Sequence, residues 1–174
     1  MPLKKPEALP KIPKTRKKLP ASFLENIPQK KEDKVEYNCH AFFFYDRSLK
    51  KQYYVLRLDT VVNFGSFSYS ITYDAVKSKK VIDIVILGLK ADINFLPDAS
   101  PAESDVMFED LFGEFTVNII KQDGCVNSAV YDFNIFKKEI LLKNKFIPTK
   151  QNNRLFCDFF TAPDLNSISS EFDR

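Results

Sequence analysis

The alternation of apolar and polar positions along this chain is that of an all-β protein. Val81–Leu89 reads Val-Ile-Asp-Ile-Val-Ile-Leu-Gly-Leu, the longest nearly uninterrupted apolar run. It is rich in β-branched residues and far shorter than the ~20 residues a membrane helix needs, so it predicts a strand buried on both sides. Around it the period is two. Phe67, Tyr69, Ile71 and Tyr73 alternate with Ser68, Ser70 and Thr72. Phe115, Val117 and Ile119 alternate with Thr116 and Asn118, and Ala129, Tyr131, Phe133 and Ile135 with Asp132 and Asn134. Each such stretch predicts a strand with one dry face and one wet face. Ala41–Tyr45 and Gln52–Val62, joined by the polar Asp46–Lys50, predict a hairpin, because consecutive strands usually neighbour one another. Asp123-Gly124 predicts a type I′ hairpin turn within Gln122–Cys125, and Glu139–Leu142 predicts a further short strand before Pro148 closes the body. About eight strands of this kind make a single antiparallel β-sandwich or a closed β-barrel.

Three stretches depart from that pattern. In Asp98–Gly113, Ser100, Pro101 and Glu103 have the chemistry of a helix start, with Ser as N-cap and Glu closing a capping box. Met107 with Leu111 and Phe108 with Phe112 are spaced as on a helix, so one short surface helix or an acidic loop is expected there. Residues 1–33 hold six of the ten prolines, each of which fixes φ and removes a backbone donor. With Lys4, Lys5, Lys11, Lys14, Arg16, Lys17 and Lys18 repelling one another, they predict a disordered basic arm. Within it, Ala21–Ile27 is expected to form one short turn that docks on the body. From Thr149 the chain is polar apart from Leu155–Phe160, whose aromatics are too many to leave in water and should dock on the body or on a partner. The expected organisation is an arm (1–33), a β domain (34–148) and a tail (149–174).

Charge sharpens this division. Residues 1–34 carry ten Lys or Arg against four Asp or Glu, a net +6, so the remainder carries −3 of a total of +3. The three cysteines, Cys39, Cys125 and Cys157, have no paired spacing, which fits a reducing compartment. The first 25 residues hold no apolar secretory core. An intracellular protein is expected, cytoplasmic or nuclear; Lys14-Thr15-Arg16-Lys17-Lys18 is the kind of cluster that import receptors read.

Candidate chemistry is sparse. His40, the single histidine, follows Cys39, but neighbouring side chains on a strand point to opposite faces, so a Cys–His nucleophile is not expected. One histidine and three scattered cysteines lack zinc-site spacing. Asp98, Glu103, Asp105, Glu109, Asp110 and Glu114 match no EF-hand loop and read as a solvated acidic face. Four glycines are too few for a Gly-rich phosphate cradle. Tyr53, Tyr54, Tyr69 and Tyr73 raise a base-stacking platform, but the alternation assigns such rings to the core. A Phe-rich barrel is equally compatible with a filled interior and with an apolar cavity. No catalytic residue, metal or cofactor is expected. The reading is a non-enzymatic interaction or structural protein whose β body binds a partner and whose residues 4–18 engage an acidic one. The alternative is an accessory protein that binds RNA or DNA phosphates through the same lysines.

Val55-Leu56-Arg57-Leu58-Asp59-Thr60, Thr72-Tyr73-Asp74-Ala75-Val76 and Asn94-Phe95-Leu96-Pro97-Asp98-Ala99, set in an all-β body beside a lysine-rich tail, resemble the telokin-like protein family of baculoviruses. The resemblance covers part of the body. It implies a compact antiparallel barrel or sandwich of viral origin without an established enzymatic activity, and it carries no catalytic residue over.

Overall fold

A computed structural model describes residues 31–150 and 152–161. Seven strands form one sheet: β1 (Tyr37–Asp46), β2 (Lys51–Ser78), β3 (Val81–Phe108), β4 (Gly113–Lys121), β5 (Val126–Asn134), β6 (Glu139–Phe146) and β7 (Cys157–Thr161). Their order is β6-β5-β4-β3-β2-β1-β7. The described residues contain no helix. Most neighbours are antiparallel, but β3 pairs parallel with β4 and β1 parallel with β7.

The two 28-residue strands shape the molecule. Tyr54–Asp59 pairs with Glu103–Phe108, and Tyr69–Ser78 pairs with Val81–Ala91. Register shifts between these blocks are bulges, which bend a strand and raise its twist. Gly88, at φ +153°, sits at one of them, where a side chain would be strained. The bends double the hairpin back on itself. Ser70 pairs with Glu103, the Ser104 hydroxyl accepts the Ile71 N–H (3.0 Å) and donates to its carbonyl (2.7 Å), and the Tyr73 hydroxyl donates to the Asp105 carbonyl (2.7 Å). β2 and β3 thus give two segments each to the wall, which becomes a nearly closed barrel of nine.

The seam of the barrel lies between β6 and β7. Among the described residues no backbone hydrogen bond joins them. Side chains do the bridging: Lys145 Nζ lies 2.6 Å from Asp158 Oδ1, and Tyr131 Oη donates across the interior to the Phe160 carbonyl at 3.1 Å. Lys143 and Lys145 on β6 are the charged residues that natural edge strands use against unwanted pairing.

The interior is filled with rings. Tyr54 meets Phe43 at 5.0 Å and Phe133 at 5.5 Å, and Phe133 meets Phe115 at 5.9 Å and Tyr131 at 6.1 Å. Phe156 and Phe159, from the polar-looking end of the chain, are buried with them. Burying such side chains is worth roughly 1.5–3 kcal/mol each, the main return on a Phe-rich composition.

Several expectations are corrected. Val81–Leu89 is not buried on both sides: Ile82, Ile84 and Ile86 point inward, while Leu87 and Leu89 are exposed, because the wall is one sheet thick and has one dry face. The capping box at Ser100 opens no helix. Ala102 and Val106 are core residues of a strand registered on β2, and only Glu109–Phe112 is a connection. The β4–β5 turn is not type I′, since Gly124 (φ +79°) but not Asp123 has positive φ. Asp123 Oδ1 instead accepts the Cys125 N–H at 3.0 Å, and Gly124 supplies the left-handed residue of a bulged turn. Of the ring face read as inward, Ile71 is buried but Phe67 is exposed.

Candidate functional site

The expected binding residues Lys4, Lys5, Lys11, Lys14, Arg16, Lys17 and Lys18 lie outside the described residues. Residues 33–36 meet the barrel at its lower end, beside the starts of β1 and β7. There Lys34 N–H donates to the Leu155 carbonyl (3.0 Å) and Glu36 N–H to the Phe156 carbonyl (2.7 Å). Below them lies an ionic cluster in which Arg154 is buried while Glu36 and Lys121 are half-buried. Arg154 is 3% exposed and places Nη2 2.5 Å from Glu36 Oε1, while Lys121 Nζ takes the other oxygen at 2.5 Å. Burial works to raise the Glu36 pKa, but the hydrogen bonds from Lys121 and Arg154 outweigh it and hold the carboxyl below its usual range. Arg154 Nε is buried without a partner.

The opposite, upper end carries exposed aromatics. It is built on a repeated turn. Asp46 Oδ1 accepts the N–H groups of Ser48 and Leu49 in the β1–β2 hairpin, and Asn134 Oδ1 accepts those of Phe136 and Lys137 in the β5–β6 hairpin. Each turn closes on a lysine of positive φ, Lys50 (51°) or Lys138 (48°). The second turn holds Phe136 in water at 86% exposure, edge-on to Phe112 of the β3–β4 connection at 5.9 Å. Beneath the pair is a depression of about 290 Å³ lined by Leu111, Ile135 and Tyr54, and the Tyr54 hydroxyl is buried with no partner. Nothing in the alternation warned of this pair, because Phe112 fell in a stretch read as a short helix or acidic loop and Phe136 beyond the end of a strand.

The remaining candidates are not brought into a reactive arrangement. Cys39 points into the core and His40 outward, as strand geometry dictates. His40 Nε2 lies 3.0 Å from Asp59 Oδ1, Asn38 donates to the other Asp59 oxygen (2.8 Å), and the imidazole stacks on Phe160. Burial pushes the Cys39 thiol up to about 12 and raises the Cys157 thiol as well, so both stay protonated and unreactive at neutral pH. We expect iodoacetamide to leave Cys39 and Cys157 unlabelled in the native protein and to modify both once urea unfolds it. Labelling that precedes the loss of circular dichroism would contradict this burial.

The acidic stretch is divided among separate cations. Asp105 and Glu103 face Arg57, Glu109 faces Lys51 and Asp110 faces Lys77. No group of three His, Cys, Asp or Glu side chains among the described residues is placed to hold a metal ion. No helix among them is long and apolar enough to cross a membrane. Compared with known proteins, the chain matches no family model, no curated protein and no solved structure.

Proposed function

We propose that this is a non-enzymatic interaction protein: a β-barrel body that meets a protein partner, with a basic arm that engages an acidic one. The observation that carries the reading is the Phe112–Phe136 pair. Phe136, 86% exposed on a turn fixed by two side-chain hydrogen bonds, joins the exposed Phe112 and Ile135 in one contiguous apolar patch, the kind of surface that marks an interaction site. The net +6 of residues 1–34 supports the second half of the reading, and the viral origin implied by the telokin-like resemblance belongs to the same proposal.

Removal of residues 1–20 tests the arm. The shortened chain should unfold with the same urea midpoint as the intact one. It should lose most of the intact chain's binding to poly-glutamate at low salt. Unfolding of the shortened chain, or undiminished binding, would overturn the reading. If the intact chain prefers mixed-sequence RNA or DNA to poly-glutamate, with affinity falling steeply as salt displaces released counterions, the arm is a nucleic-acid tether instead.

A further inference from the structure

The lower part of the seam opens into a groove of about 370 Å³ between β6 and β7. Its walls are apolar: Phe146 and Ile147 on one side, each about two-fifths exposed, with Leu155 and Phe159 on the other. The Lys145–Asp158 pair spans it. On the β7 side the N–H groups of Phe156 and Cys157 are taken by Asn127 Oδ1 and that of Phe159 by Asp158 Oδ1, but β6 presents a sheet edge with no backbone partner across the seam, and such an edge is a template for a further extended segment.

The position of the arm points to the occupant. Leu155, a wall of the groove, donates its N–H to Asp33 Oδ1 (2.9 Å) and accepts from Lys34 N–H (3.0 Å), so the amino-terminal chain reaches the body at the mouth of the groove. Thirty residues precede Lys31. Among them Ala21–Ile27, between Pro20 and Pro28, keeps every backbone N–H and carries Phe23, Leu24 and Ile27. Lys14–Leu19 is also free of proline, but Lys14, Arg16, Lys17 and Lys18 suit an apolar groove badly. The step from Ile27 to Lys31 can span about 14 Å, ample for a segment anchored at the groove's own wall.

We propose that the seam groove is the seat of this chain's own Ala21–Ile27, with Phe23, Leu24 and Ile27 against Phe146, Ile147 and Leu155. The segment completes the barrel wall and fixes the lysines of residues 4–18 at the lower end, opposite Phe112 and Phe136. This inference does not depend on what the lysines bind, so the arm can fail every polyanion test and the groove still be filled.

Hydrogen exchange on the full chain tests it. The amides of Lys145–Ile147 should exchange roughly tenfold more slowly in the intact protein than in a Phe23→Asp/Leu24→Asp/Ile27→Asp variant, with the β4 and β5 amides unchanged. An Ile147→Asp variant should show the same local loss from the groove side. Equal exchange in the intact and triple-variant proteins overturns the proposal. So does protection that vanishes only when residues 162–174 are removed, or that rises with protein concentration, since the occupant is then the other end of the chain or a second copy.

Discussion

Replacing Glu36 by alanine should cost about 3–5 kcal/mol of stability, far more than an ordinary surface ion pair, because it strands a buried guanidinium. Arg154 is 3% exposed, and its other contacts are modest: Nη1 reaches the carbonyls of Lys34 and Leu155 at 3.3 and 3.4 Å, and Nε has no partner. Glu36 supplies the compensating charge and joins Arg154 to Lys121, tying the chain before β1 to the end of β4 and the approach to β7. The expected measurement is a urea midpoint that falls while the m-value holds. A Glu36→Ala/Arg154→Met double variant should recover much of the loss, since removing both charges leaves neither unpaired. If the single variant loses less than about 1 kcal/mol, or if the double variant is worse than the single, water or a neighbouring group solvates Arg154 and the cluster is not the clamp described.

The same cluster sets the sense of the acid response. The Glu36 pKa lies below its ordinary value in the folded protein, so its contribution is fully present above the unfolded carboxylate pKa. It is lost as pH falls through the lowered folded value. Asp158 acts in the same direction: burial works to raise its pKa, but the hydrogen bond from Lys145 and the Phe159 N–H overcome it. Stability should therefore decline on acidification through and below the usual carboxylate range, and Glu36→Ala should flatten part of that decline.

What was legible in the sequence follows from where the contrast between faces lies. Phe115–Ile119 and Ala129–Phe133 announce themselves because their outward neighbours, Thr116, Asn118 and Asp132, are polar, so burial and alternation coincide. Val81–Leu89 misleads because its outward positions are apolar too, and a run of that kind carries no mark of how many layers cover it. The Ser100 capping box misleads for a different reason. Local helix-start chemistry competes with pairing across a hairpin of 28-residue strands, and the pairing prevails: Ala102 N–H donates to Thr60 Oγ1 at 2.9 Å, 42 positions away. Asn153 and Arg154 sit in a polar stretch that reads as tail, yet both are buried, because the groups that satisfy them lie far off in sequence. The aromatic end was hidden in the same way, since Phe112 and Phe136 belong to separate connections that only the β4–β5 hairpin brings together.

Asn127→Leu should cost about 3 kcal/mol and release β7 before the rest of the barrel. Asn127 is 1% exposed on β5, and its amide makes the polar joint of the lower seam. Oδ1 accepts the N–H groups of Phe156 and Cys157, both at 2.8 Å, and Nδ2 donates to the carbonyls of Arg154 (2.8 Å) and Val126 (2.9 Å). Leucine fills a similar volume but leaves Phe156 and Cys157 without this acceptor in a buried setting, at a cost of about 1–3 kcal/mol for each donor not recovered elsewhere. β7 is five residues long, and its parallel pairing with β1 is its one ladder. It is therefore the element least able to absorb that loss, and the expected failure is local opening rather than collapse of the β2–β3 hairpin. Peptide mapping after iodoacetamide should find Cys157 modified at urea concentrations that leave the circular dichroism of the barrel intact. If Asn127→Leu loses less than about 1 kcal/mol and Cys157 stays shielded until global unfolding, then burial of Phe156 and Phe159 alone holds the seam shut, and the asparagine is a satisfied polar group rather than its latch.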